Sequence, residues 1–185
     1  MKRLAALCLL AALPLGAWAE RLRVDVLVFL NPPSGEELGT APRHPDEKSA
    51  IAIDDVRGLA YAGIALLPEN ATTLAPEWAT LKARRGYTPL LRLSWLQDAP
   101  VGDKGPALRV YLPTGDGISG LSGWLRLEGG RALALSADLE QVQTGADRKP
   151  LGLRLQQRRS LGMDTLHYLD STRVGVLARV TAAAR

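Results

Sequence analysis

Leu121-Ser-Gly-Trp-Leu-Arg-Leu-Glu-Gly-Gly-Arg-Ala-Leu-Ala-Leu-Ser-Ala-Asp-Leu-Glu-Gln-Val142 is the stretch whose reading decides the fold. Leucines recur at alternate positions on both sides of Gly129-Gly130, the pattern of two half-buried strands joined by a tight turn. A two-residue loop would set Leu125 and Leu127 opposite Ala134 and Ala132 and throw Leu133 and Leu135 onto the face of Arg126 and Glu128. A three-residue loop, Gly129 to Arg131, instead pairs Leu127 with Leu133, Leu125 with Leu135 and Leu121 with Leu139. That register is preferred, because a slip of one residue sends every side chain to the opposite face. The hairpin then has a leucine face and a second face bearing Ser122, Trp124, Arg126, Ser136 and Asp138, with Trp124 exposed.

The flanking sequence extends the same pattern. Leu151, Leu153 and Leu155 alternate with Arg154, Gln156 and Arg158, and Arg173 to Thr181 supplies a last strand through Val174, Val176, Ala178 and Val180. Upstream, Ala107 to Leu112 reads as a short strand. Tyr87 to Leu96 reads as a longer one, with Leu91, Leu93 and Trp95 on one face and Arg92, Ser94 and Leu96 on the other. The first strand runs from Arg21 to Leu30, with Leu22, Val24, Val26 and Val28 opposite Arg23, Asp25 and Leu27. Between these strands, Thr72-Thr-Leu-Ala-Pro-Glu77 starts a helix: threonine caps, Pro76 fits the first turn, and Glu77 suits the positive end of the dipole. Leu74, Trp78 and Leu81 form its apolar stripe, and Gly86 stops it after Lys82, Arg84 and Arg85. Leu59 to Leu67 reads as a strand or edge segment. Residues 31–55, rich in proline, glycine and charge, read as a mobile surface loop carrying His44. The expected class is α+β, a curved antiparallel β-sheet packed against one principal α-helix that covers the leucine face.

The N-terminus bounds the compartment. Lys2 and Arg3, an apolar run from Leu4 to Leu15, and Ala17-Trp-Ala19 have the layout of a secretory signal peptide over residues 1–19. Its apolar core of about a dozen residues is short of the roughly twenty needed to span a bilayer, and no later segment reaches that length without charges. Cys8 is the single cysteine and lies inside the signal, so residues 20–185 carry no thiol, disulfide or cysteine-bound metal. The expectation is one exported domain held by an ordinary core, which an apolar fraction of 46% supports. Without Lys2 and Arg3 the basic count falls to 21 against 19 acidic residues, so nucleic acid is not implied as a partner.

The densest chemistry sits in Gln157-Arg-Arg-Ser-Leu-Gly-Met-Asp-Thr-Leu-His-Tyr-Leu-Asp170. His167 with Asp164 or Asp170 has the residue types of an acid–base pair, yet no serine occupies a G-x-S-x-G elbow. The alternative is a histidine bonded to its surroundings for structural reasons. His44, His167 and scattered carboxylates lack metal-ligand spacing, so no metal and no cofactor are expected. Gly115-Asp-Gly-Ile-Ser-Gly120 matches G-x-G-x-x-G but leads into a strand, and is read as a turn. Sugar or peptide binding needs an aromatic surface beside hydrogen-bonding groups. Trp95 with Gln97, Trp124 with Arg126, and Arg158 with Tyr168 and Asp170 are such combinations. The alternative is that Trp95 and Tyr168 are core aromatics and that the arginines pair with carboxylates or strand ends.

Tyr87-Thr-Pro-Leu-Leu-Arg-Leu-Ser-Trp-Leu-Gln97 resembles the Y-x-x-L-x-H-x-x-W-x-Q segment of the CsiV family of exported peptidoglycan-binding proteins. Gln157-Arg-Arg159, Leu166-His-Tyr-Leu-Asp170 and Gly175-Val-Leu177 are similar to that family's C-terminal signature, and Val24 to Phe29 is similar to its start. The resemblance implies a periplasmic, non-catalytic protein connected with cell-wall synthesis and cell shape through peptidoglycan and an activator of penicillin-binding proteins. Ligand-binding residues implied together with the combinations above are Arg92, Trp95, Gln97, Trp124, Arg126, Arg158, Arg159, His167, Tyr168 and Asp170. The chain departs from the pattern at Arg92, where the family has histidine, and at Ala132 and Ala134, where it has tyrosine and histidine. The expected function is an envelope accessory protein binding peptidoglycan, a cell-wall synthesis protein, or both. The rivals are a protein interaction module without glycan binding and, further off, an envelope hydrolase using His167.

Overall fold

The computed structural model describes residues 21–33, 39–43, 45, 47–100, 105–114, 119–145 and 147–183. The signal segment, His44 and Gly115 to Ile118 of the glycine motif lie outside the described residues. The described elements are β1 (Arg21–Leu30), β2 (Ile51–Ala52), α1 (Val56–Tyr61), β3 (Ala65–Leu66), α2 (Ala75–Ala83), β4 (Thr88–Asp98), β5 (Ala107–Pro113), β6 (Gly120–Glu128), β7 (Ala134–Thr144), β8 (Pro150–Ser160), β9 (Leu166–Asp170) and β10 (Val174–Ala182). The strands form two five-stranded sheets, ordered β3-β4-β1-β10-β9 and β2-β5-β6-β7-β8. All pairings are antiparallel except β2 with β5.

The α+β class holds, but the leucine face is covered differently from the expectation. Leu121, Leu125, Leu127, Leu135 and Leu139 pack in one buried cluster with Val24, Val26 and Val28 of β1 and Val176 and Val180 of β10. A second sheet, not the helix, therefore buries the hairpin. A nine-residue helix could not cover it; sheet-on-sheet packing can, because each strand offers a whole alternate row. α2 instead lies on the opposite side of the first sheet, where Leu74 and Leu81 pack against Leu27 and Phe29. β1 is thus buried on both faces, which explains a strand that is apolar at almost every position.

The hairpin register also differs. Leu127 pairs with Leu135, Leu125 with Ala137 and Leu121 with Gln141, two residues beyond the three-residue-loop pairing, so Gly129 to Leu133 form the connection. A shift of two keeps every side chain on its expected face. In this register Arg126 stands opposite Ser136 and Trp124 opposite Asp138, and the Ser136 hydroxyl reaches Glu128 at 2.8 Å. At Gly123, with φ +135, an added Cβ would run into the Asp138 carbonyl across the pair.

Two further readings change. Val56–Tyr61, partly inside the segment read as a strand, is a short helix whose N-cap Asp55 accepts a hydrogen bond from the Gly58 amide at 2.9 Å; only Ala65–Leu66 of that segment is a strand. At the start of α2, Thr73 does not cap. Its hydroxyl donates to Asp25 at 2.9 Å, and its amide donates to the same carboxylate at 3.2 Å. Asp25 is fully buried and also accepts from Ser94 at 2.5 Å and Arg23 at 2.9 Å, so one carboxylate ties β1, β4 and the entry to α2 together. Burial by itself would raise this carboxyl, but the Arg23, Ser94 and Thr73 hydrogen bonds hold it below the ordinary aspartate value. An Arg179–Glu77 ion pair of 3.0 Å fastens the helix to β10.

Candidate functional site

Two outer faces compete as sites. On the second sheet, alternate residues of β6, β7 and β8 point away from the core and carry most of the charge. Glu128 accepts from Arg158 at 2.6 Å and from Ser136 at 2.8 Å. Asp138 receives a bidentate bond from Arg154 at 2.8 and 2.7 Å. Arg126 pairs with Glu47 at 3.3 Å while its guanidinium lies 5.0 Å from the Trp124 ring centre. The second face read from the sequence is therefore present, and its charges answer one another.

Described residues between 39 and 50 lie across this face. Thr40 bridges to Gly152, the Arg43 amide donates to the buried Glu140 carboxylate at 3.0 and 3.2 Å, and Arg109 donates to the Glu47 carbonyl at 3.4 Å. Gly152 admits the crossing chain, since a Cβ there would meet the Glu140 carboxylate at 2.6 Å. Under this cover Arg126, Glu128, Asp138 and Glu140 are all buried. Burial would raise the Glu128 carboxyl, but Arg158 and Ser136 outweigh it and leave it below the usual glutamate range. The Asp138 hydrogen bonds raise Arg154 above its ordinary value.

The outer face of the first sheet is unlike this. Between α2 and β9 runs an open groove of about 550 Å³, lined by Phe29, Pro76, Glu77, Thr80, Leu81, Arg84, Tyr87, Tyr168 and Leu177. Phe29 stacks on Tyr168 with centroids 6.1 Å apart and rings 8° from parallel, and meets Tyr87 at 5.9 Å. Two glycines make this possible. Gly175 stands opposite Phe29 on β10, where a Cβ would come within 2.7 Å of the Phe29 ring. The helix stops earlier than the expected Gly86, at Ala83 with Arg84 as its C-cap, and Gly86, with φ +90, makes the turn that leads into Tyr87. The Tyr168 hydroxyl donates to Asn31 Oδ1 at 3.2 Å, and burial is the main reason that its pKa rises.

The sequence candidates separate accordingly. Trp95 is fully buried, and its Nε1 donates to Gln97 Oε1 at 2.6 Å; Gln97 is buried as well, so both offer core surface rather than ligand surface. They satisfy each other because a buried indole N–H requires an acceptor. Arg92 lies at the other end of α2, 5.5 Å from the Trp78 ring centre and 3.3 Å from Glu69. Trp124, Arg126 and Arg158 belong to the charged face. Arg159 is exposed near the end of β8, with no ion pair among the described residues. His167 Nε2 takes the Gly162 amide proton at 2.8 Å. The same nitrogen lies 3.3 Å from the Gly162 carbonyl oxygen, so the Gly162 backbone holds the ring in either tautomer, and neither Asp164 nor Asp170 bonds the ring among the described residues. Asp170 is exposed on β9, and its backbone is bonded by the Gln157 side chain.

Only Tyr168 of the ten candidates lines the groove. Phe29, Tyr87 and Arg84 were missed as site residues. The available signal was scarcity: the chain has one phenylalanine and four tyrosines, and three of these five rings meet here. Among the described residues no group of three or more His, Cys, Asp and Glu side chains is placed to hold a metal, and no helix is long and apolar enough to cross a membrane.

A family model described as "Peptidoglycan-binding protein, CsiV" matches residues 2–183. No curated protein and no solved structure matches the chain.

Proposed function

The chain belongs to the CsiV family of peptidoglycan-binding proteins, and from that premise we propose that it is a non-enzymatic accessory protein of the cell envelope that holds peptidoglycan in the groove beside α2. The observation that carries this reading is convergence. Tyr87, Tyr168, Gly175 and Leu177, which belong to separate segments of the family signature, meet around Phe29 in one open groove. A core alone would not require three aromatic rings beside an opening, whereas a ligand with apolar surface does. That no carboxylate orients the His167 ring among the described residues favours binding over hydrolysis. Removal of residues 1–19 and residence in the periplasm complete the proposal. Co-sedimentation of the purified protein with isolated sacculi tests it. Retention at low salt that falls with Tyr168→Ala is expected, and a protein that stays in the supernatant at low salt refutes it.

A second reading has one observation in its favour: Met163 and Leu166 carry exposed apolar surface toward β9, outside the groove. A cell-wall synthesis protein docking there is the interaction-module alternative. Cross-linking in the periplasm would then recover one stoichiometric protein partner, with or without intact peptidoglycan.

A further inference from the structure

We propose that the groove receives the peptide part of the wall polymer, a short peptide bearing free carboxylates and an ammonium group, rather than its sugar chain. The proposal rests on the peptidoglycan reading above. It follows from which polar atoms the groove leaves available. The Thr80 hydroxyl already donates to the Pro76 carbonyl at 2.9 Å, the Tyr168 hydroxyl to Asn31 at 3.2 Å, and Glu77 Oε1 accepts from Arg179 at 3.0 Å, while Glu77 Oε2, without a partner among the described residues, is buried away from the opening. A disaccharide would bring hydroxyl and acetamido groups into a trough with few partners for them, and each one covered there without a partner weakens binding. Sugars also favour the free face of an aromatic ring, and here Phe29 and Tyr168 give a face to each other.

What remains suits a small peptide. Phe29, Leu81 and Leu177 offer apolar surface for methyl side chains and Cα groups. Arg84 lines the groove at the end of α2, exposed and with no hydrogen bond or ion pair from its side chain among the described residues. Lys82 and Arg85 stand exposed on the same turn, so this end is cationic. Asp170, on the same face of β9 as Tyr168 and opposite Gly175, is an exposed carboxylate just beyond the lining residues. A guanidinium in the groove and a carboxylate next to its Tyr168 wall match a chain with a terminal carboxylate and a diamino-acid side chain. Cell-wall stem peptides have that composition.

Pull-down on two bead-immobilised preparations from the same sacculi tests this: one of intact fragments, and one of strands stripped of stem peptides by an amidase so that only glycan remains. Retention on the stripped strands is expected to fall by about tenfold or more, the size of one lost charge-assisted contact. The soluble stem peptide should compete for the intact material. Arg84→Glu should reproduce the fall, with an unchanged melting temperature because the side chain is exposed. Equal retention on intact and stripped strands overturns the peptide assignment and leaves the peptidoglycan reading standing. Failure to bind either preparation overturns both. Competition by soluble peptide that Arg84→Glu leaves unaltered overturns the placement at this groove.

Discussion

The outer face of the second sheet and the outer face of the first are made from the same kind of strand, yet they end in opposite states. On the second, Glu128, Asp138, Arg126, Arg154 and Arg158 pair among themselves and with Glu47, beneath described residues of the 39–50 segment. On the first, an aromatic row beside α2 is left open, with a cation at its end. Charged residues that face each other across strands satisfy one another and become architecture. Apolar residues with nothing over them are the ones that call for a partner.

The contrast breaks most completely at the core both faces share. Trp95→Ala empties a fully buried site between the sheets and should cost about 3–5 kcal/mol by chemical denaturation, with the groove and the charged face lost in one transition. Glu128→Ala should cost about 1–3 kcal/mol, because the buried Ser136 loses its acceptor and Arg158 its anchor. Sacculus retention of the folded fraction should not change, and a parallel loss of binding would show that the two faces are coupled. Protonation does less than deletion. The Asp25 and Glu128 carboxyls lie below their ordinary values in the folded state, so their contribution is complete above the unfolded pKa of about 4 and fades as pH falls through the folded values. Asp25→Asn should therefore lower stability at neutral pH and flatten its decline in acid, read from melting temperatures across pH 2 to about 6. The smallest effects separate the faces directly. Tyr168→Ala should weaken retention roughly three- to tenfold, while Trp124→Ala, removing a cation–π contact of about 0.5–1 kcal/mol, should leave retention unchanged.

Much of the strand layout was legible from alternation alone. β1, β4, β5, β6, β7, β8 and β10 fall where the period of two puts them, and Leu74, Trp78 and Leu81 mark α2. The hairpin register was not, because a slip of two preserves the faces on which the leucines were judged. The observed register lets Ser136 reach Glu128 and lets the Asp138 carbonyl use the space Gly123 leaves. α1 escaped because six residues with only Leu59 buried show no stripe. The division into two sheets was foreshadowed by Leu27 and Phe29, apolar on the side of β1 assigned to Arg23 and Asp25, where they now hold α2.

The candidate site was less legible for a related reason. Trp95 and Gln97 look like a surface pair in a motif, but their hydrogen bond is to each other inside the core. Trp124, Arg126 and Arg158 promised a ligand face, and the neighbouring carboxylates answered them first. Tyr87, Tyr168, Gly175 and Leu177 were quoted as family signature without a shared role, since nothing in linear spacing places a turn residue, an edge strand and an inner strand around Phe29. Their meeting point depends on strand order, with β9 outermost and β10 beside β1.

That outermost position has a hazard of its own. The last strand of a sheet offers bare amides and carbonyls to any other chain that can extend it. Gln157 answers this at one end of β9, where its Oε1 accepts the Asp170 amide at 3.3 Å and its Nε2 donates to the Asp170 carbonyl at 2.5 Å. A primary amide holds its donor and acceptor much as a backbone peptide does, so this side chain acts as a one-residue imitation strand. A second copy seeking to add itself there meets a place already taken at Asp170.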